Sequence, residues 1–145
     1  MKEKNGLPVE EGKRHVPALF APIHKEWILQ AMDELSAGAV KRFFSTGSRA
    51  VAPAKDANIC SIYFKIKCEN FISAKADFIE ITEHNPREFR IRGNENILGK
   101  YYYGFRNLRW LKDKRDLVSL KRHGSEAALR NDVPGACMIV DPQIE

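Results

Sequence analysis

The residues best suited to chemistry are concentrated in one stretch, residues 100–122, KYYYGFRNLRWLKDKRDLVSLKR. Eight basic residues (Lys100, Arg106, Arg109, Lys112, Lys114, Arg115, Lys121 and Arg122) face only Asp113 and Asp116 there, a local charge of +6. The whole chain carries +5, so the remaining residues sum to −1 and the basic character is a patch. Tyr101, Tyr102, Tyr103, Phe105 and Trp110 are interleaved with the cations. Cations for phosphates and flat rings for bases make a nucleic-acid-binding composition. Lys100, Tyr102, Arg106, Arg109, Trp110 and Lys112 are the candidate contacts. The competing reading is a core strand followed by solvated lysines. Because neighbouring side chains on a strand alternate, Tyr102 must oppose Tyr101 and Tyr103. At least one of the three rings is therefore expected to face outward or into a cleft. A second basic group, Lys41, Arg42 and Arg49, brackets a small, polar segment. Arg suits bidentate phosphate pairing and Lys acts as a point charge.

Other chemistries find little support in the sequence. His15, His24, His84 and His123 are scattered, and neither His-x-x-x-His nor Cys-x-x-Cys spacing occurs. No metal or cofactor is expected. Asp77 and Glu80 are close in sequence, but on a strand they face opposite sides, so they do not form a nuclease carboxylate cluster. Ser119 precedes Lys121 by two residues, not the three of a Ser-x-x-Lys nucleophile. Cys60, Cys68 and Cys137 do not make a disulfide framework. On one extended strand Cys60 and Cys68 would lie about 26 Å apart, far beyond bridging distance. Free, buried thiols are expected.

These groups must be positioned by a small set of elements. Residues 1–15 read as a loose polar arm and residues 16–145 as one domain. A short strand at residues 18–20 leads into a helix at residues 24–37. Trp27, Ile28, Ala31, Met32 and Leu35 form one stripe of that helix, so Trp27 reads first as a core residue and second as a pocket wall. Gly38 is its stop. A second strand is expected at residues 39–44, followed by a mobile loop at residues 45–58. Residues 59–68 are the clearest strand, with Cys60, Ile62, Phe64, Ile66 and Cys68 on one face and Ser61, Tyr63, Lys65 and Lys67 on the other. Residues 72–82 form a strand with poor alternation, which predicts a bend or two covered faces. Further strands are expected at residues 88–92 and 101–111, the latter kinked at Gly104 or passing into a loop. A short helix at residues 126–130, capped by Ser125, precedes a buried final strand at residues 136–140.

The totals set outer limits. A chain of 145 residues with 43% hydrophobic residues suits one folded domain. No apolar run approaches the roughly 20 residues of a membrane span, and the N-terminus lacks a signal-peptide core. A cytoplasmic protein without membrane attachment is the expectation.

The order of elements resembles the PUA-like superfamily, in particular its ASCH and EVE branches. The resemblance covers residues 16–142. It rests on the amphipathic helix at 24–37, the Gly38-Ala39-Val40-Lys41-Arg42 entry into a strand, the IYFKIK and ISAKADFIEI strands, and the closing ACMIV strand. It implies an α+β fold: a PUA-like mixed β-barrel with a helix after the first strand and a short helix near the C-terminus. It also implies RNA or modified-nucleotide binding, with Trp27, Tyr63, Tyr102 and Trp110 as possible pocket residues. The ASCH pattern runs close to Gly-x-Lys-Thr followed by Glu and Arg. Here Lys41 lies three residues after Gly38, Arg42 takes the threonine place, and Phe43 and Phe44 follow without a glutamate. The expected function is therefore non-catalytic binding of RNA or a nucleotide, with DNA a possible ligand. The alternatives are a small ASCH-like hydrolase or ribonuclease using Lys41 and Glu80, or a domain whose basic face meets an acidic protein.

Overall fold

The strand with the plainest alternation, SIYFKI, is buried at every residue. In the computed structural model, which describes residues 16–84, 101–125 and 127–145, this strand spans Ser61–Ile66. Ile62, Phe64 and Ile66 join the main core. Tyr63, on the opposite face, joins a second core with Phe20, Ile72, Leu117 and Leu129. The face expected to be polar is thus covered as well. Lys65 is buried there because its ammonium donates to the Glu69 carbonyl at 2.6 Å. Such a group is tolerated inside only when its donors find partners.

We label the elements β1 (Pro17–Ile23), α1 (Lys25–Ser36), β2 (Arg42–Thr46), β3 (Ser61–Ile66), β4 (Phe71–Thr82), β5 (Tyr101–Asp116) and β6 (Cys137–Val140). The six strands form one mixed sheet in the order β2-β5-β4-β3-β1-β6. β1 and β3 are parallel, and every other pairing is antiparallel. The sheet curls into a half-barrel, giving an α+β, barrel-like fold. Its curl comes from β4 and β5, of twelve and sixteen residues. Their register slips between Ile72 and Ala74, between Lys75 and Asp77, and between Phe78 and Glu80. Bulges of this kind bend and twist a long strand pair. Asn107 lies within the bulged region at φ 57°. β5 therefore runs on to Asp116 rather than ending near residue 111, and its left-handed residue is Asn107, not Gly104.

Helix α1 buries Ile28 and Ala31 and leans Trp27, Met32 and Leu35 on the main core. Gly38, at φ +110°, follows its last turn, a position that favours glycine. β2 begins at Arg42, later than expected, because residues 37–41 complete the exit from the helix. The segment expected to be a mobile loop holds a 3-10 helix at Arg49–Lys55. Val51 and Ala54 anchor it in the core. A Cβ on Gly135 would come 3.4 Å from the Ser48 Cβ, so this segment meets the chain entering β6.

Two further expectations are corrected. Residues 127–130 are not helical; they pair with residues 120–122 through an Arg122 N–H to Ala127 carbonyl bond of 2.7 Å and a Leu129 N–H to Leu120 carbonyl bond of 2.9 Å. Ser125 instead accepts from the Ala127 N–H at 3.3 Å, a local turn. Cys137 is buried as expected, but Cys60 and Cys68 flank β3 and are exposed. The arm at residues 1–15, the strand at 88–92 and Lys100 lie outside the described residues.

Gly104 serves close approach. Opposite it in β2 stands Phe43, and a Cβ at Gly104 would lie 2.8 Å from the Phe43 Cε2. Phe43 is itself 1% exposed and packed on Tyr102, so it has little room to yield. Gly104→Ala is expected to destabilise the fold by about 1–3 kcal/mol through overpacking. Urea denaturation of the variant beside wild type measures this.

Candidate functional site

The expected basic, aromatic surface is divided by the fold. Tyr101 and Tyr103 enter the main core, while Tyr102, 4% exposed, packs against Phe43 on the other side of the sheet. None of the three rings faces solvent, so Tyr102 is removed from the set of stacking candidates. Tyr63 is removed as a pocket wall, being fully buried with its hydroxyl donating to Asp141 Oδ1 at 2.7 Å. Arg42 is 3% exposed and ion-paired with Glu34, with its Nη1 donating to the Phe43 carbonyl at 3.0 Å. Burial pulls its pKa below the ordinary value. It ties β2 to α1 and has no donor group facing solvent for a phosphate.

Arg109 is also engaged. Its guanidinium meets Asp77 Oδ1 at 3.0 Å and Glu145 Oε1 at 2.8 Å. Lys41 meets Glu80 at 3.0 Å, so the two residues of the hydrolase alternative do come together. Both are partly exposed and line none of the clefts described below, an arrangement typical of surface ion pairs. Arg49, Arg106 and Lys112 remain exposed. Arg106 borders a shallow groove with Met32, Leu35 and Val40, away from the aromatic residues.

What survives centres on Trp110. Its side chain is 44% exposed on β5. It lines an open cleft of about 270 Å³ with Lys25, Glu69, Ser73 and Lys114. Lys25 begins α1, Ser73 sits in the β4 bulge, and Lys114 lies further along β5. Neither lysine has an ion pair among the described residues; Lys114 rests over the Phe71 ring at 4.6 Å. Two residues that line this cleft each have a buried polar atom without a hydrogen-bond partner among the described residues, Ser73 Oγ and Glu69 Oε1. Both atoms are closed to solvent, so the groups open at this cleft are the Trp110 ring and the exposed Lys25 and Lys114. Sequence reading found Trp110. It missed Lys25, Glu69 and Ser73, which come from three segments and carry no local signature.

A second cleft, of about 160 Å³, opens where the half-barrel fails to close. Its walls are the end of β1, the end of β2, the start of α1 and residues 134–136 before β6. Trp27, His24, Thr46, Lys67, Pro134 and Tyr103 all contribute. Trp27 is thus the one expected pocket residue that lines this cleft. Tyr103 is fully buried, and its hydroxyl has no hydrogen-bond partner among the described residues. Burial pushes that phenol well above its ordinary pKa, so it stays a neutral donor.

No family model, curated protein or solved structure matches the chain. Among the described residues no helix is long and apolar enough to cross a membrane, and no group of His, Cys, Asp and Glu could hold a metal ion.

Glu145 closes the other side of β5. It pairs with Lys75 at 2.6 Å and with Arg109, and its backbone carbonyl accepts from the Lys112 N–H at 3.2 Å. Lys75 and then Arg109 hold its carboxyl down at about 2, from an ordinary 4.5. A depressed folded-state pKa stabilises above the unfolded value and loses that stabilisation as pH falls through the folded one. Stability is therefore expected to drop between about pH 4.5 and pH 2 more in wild type than in Glu145→Gln. Thermal melts of both proteins across that window measure the difference. Because Glu145 is largely exposed, the gap is expected to shrink in high salt.

Proposed function

We propose that the protein binds single-stranded RNA or a nucleotide at the Trp110 cleft, without catalysis, and that its half-barrel is a PUA-like domain of the ASCH and EVE kind. The family reading is supported by a barrel-like mixed sheet whose first strand is followed by an amphipathic helix. One observation carries the functional reading: a half-exposed Trp110 beside Lys25 and Lys114, in a cleft that Glu69 also lines.

Each part has a role in recognising a nucleotide. An exposed indole stacks on a base, a contribution of about 1–3 kcal/mol per base. Lys25 and Lys114 are point charges for phosphate. The partly exposed Glu69 carboxylate, which also lines the cleft, is an acceptor for an exocyclic amine or a ribose hydroxyl. A carboxylate would repel phosphate, so the sugar or base belongs on the Glu69 side and the phosphates toward the lysines. A 2′-hydroxyl within reach of Glu69 favours RNA over DNA.

Fluorescence anisotropy with a labelled single-stranded RNA and the matched DNA, across a salt series, tests this. Binding is expected to fall linearly with salt on a log–log plot, with a slope of about 0.7 per phosphate contacted. Trp110→Ala is expected to weaken binding about 10- to 100-fold at an unchanged slope. The double variant Lys25→Ala/Lys114→Ala is expected to lower the slope by about 1.4. Absence of binding at low salt, or full affinity in Trp110→Ala, overturns the proposal.

A further inference from the structure

The hollow beside Trp110 continues past that ring. β2 pairs with β5 only as far as Phe105, so from Arg106 to Asp116 that edge of β5 has no strand beside it among the described residues. Helix α1 runs alongside instead, in the opposite direction. Lys25, at its start, lines the Trp110 cleft with Lys114; Met32 and Ser36, toward its end, line the shallow groove with Arg106 and Leu108. Lys25, Leu29, Met32 and Ser36 follow one another at intervals of four, three and four residues, which sets them on one face of a helix. That face flanks the buried Ile28 and Ala31. Leu29, 42% exposed, therefore stands between the two hollows. They are the ends of one trough, with α1 as one lip and the extension of β5 as the other. From Lys25 to Ser36 it runs about 16 Å at the helical rise.

The two lips differ in charge. Arg106 and Lys114 stand on the β5 side, both exposed and neither in an ion pair among the described residues. Glu26 and Asp33 are exposed on α1, seven residues apart on a shared face farther round the helix from the core than Leu29. Between the lips lie apolar side chains: Leu29, Met32, Leu108 and the Trp110 ring. A fitting ligand has negative charges along one edge and flat, largely apolar groups along the other. An extended single strand of nucleic acid has that form. Its phosphates are drawn to the β5 lip and repelled from the α1 lip, which leaves its bases over Leu29 and Met32.

We infer that this trough carries a single strand onward from the base on Trp110, its backbone along Lys114 and Arg106 and its further bases over Leu29 and Met32. Along a stacked strand the phosphates repeat about every 3.4 Å, so the trough takes a short oligonucleotide rather than one nucleotide. The inference rests on the nucleotide reading of the Trp110 cleft. It adds the course of the strand and a ligand that reaches Arg106.

The test compares adenosine 5′-monophosphate with a 5′-phosphorylated tetra-adenylate RNA, by titration calorimetry on the whole protein. Wild type is expected to bind the tetramer about 30-fold or more tightly than the monomer, beyond the statistical advantage of offering four bases. Arg106→Ala and Leu29→Glu are each expected to weaken the tetramer about tenfold and to leave the monomer unchanged. Arg106→Ala should also lower the salt slope for the tetramer by about 0.7. The monomer reports that the Trp110 cleft and the fold are intact in each variant. If both variants bind the tetramer as wild type does while Trp110→Ala weakens both ligands, the trough inference is overturned and the Trp110 reading stands; the trough would then be left to a protein partner. A variant that loses both ligands equally acts on the Trp110 cleft itself and also overturns the inference. If Trp110→Ala binds both ligands as wild type does, the Trp110 reading fails and the inference fails with it.

Discussion

The structure depends on covering the sheet on both faces. β1, β3 and the bulged upper part of β4 carry apolar side chains in both directions, as Leu19 and Phe20, Ile62 and Tyr63, or Ile72 and Ala74 illustrate. A sheet of that kind leaves a greasy face to water unless two layers pack on it. Helix α1 and the 3-10 segment after β2 cover the inner face. The outer face is covered by residues 117–139, through Leu117, Leu120, Leu129, Val133 and Cys137. The tail is then held down by polar contacts at its end: Tyr63 to Asp141, Lys75 to the Ile144 carbonyl, and Lys75 and Arg109 to Glu145.

That two-sided demand decides which cations are left for a ligand. Lys65, Lys75, Arg42 and Arg109 are all spent on internal carbonyls or carboxylates. Each holds one layer to another: Lys65 and Lys75 fasten the outer covering, and Arg42 fastens α1. Lys25, Lys67, Lys112 and Lys114 remain in water, and Lys25, Lys67 and Lys114 border the clefts beside the start of α1. The cations thus fall into two populations, one structural and one exposed, and the basic stretch itself is split, with Arg109 in the first and Lys112 and Lys114 in the second. The exposed one sits next to the only strand residue of that stretch with an open ring, Trp110.

Alternation and helical periodicity made much of this fold legible. The stripe of Trp27, Ile28, Ala31, Met32 and Leu35 located α1, and the poor alternation of residues 72–82 announced the bulged β4. What periodicity could not show was how far each face is covered. Tyr63 and Lys65 alternate as solvent-facing residues would, yet the outer layer arrives from residues more than fifty positions later. Tyr102 failed for the same reason: its partner, Phe43, comes from a strand paired only in three dimensions. Residues 126–130 have helical composition, but two backbone bonds between residues 127–129 and residues 120–122 outweigh a propensity that is worth only tenths of a kcal/mol per residue. The site was legible only in Trp110 and in Lys114 as a member of the basic stretch. Ser73 and Glu69 are ordinary residues until a bulge and a turn leave their oxygens without partners.

The orphan polar atoms are the least expected part of the structure on stability grounds. Each buried, unbonded group costs about 1–3 kcal/mol, and a phenylalanine would fill the Tyr103 position without that cost. Tyr103 lies in a core otherwise built from Phe44, Phe64 and Phe105, at ring separations of 4.9–6.3 Å. Its hydroxyl adds nothing to that packing. Ser73 presents the same contrast beside Ala74 and Ile72, in a strand where a small apolar residue would serve. Both hydroxyls are closed to solvent, so neither is offered at the surface of the cleft that its residue lines. The groups that a ligand can reach are instead the half-exposed Trp110 ring and the exposed Lys25 and Lys114 beside it.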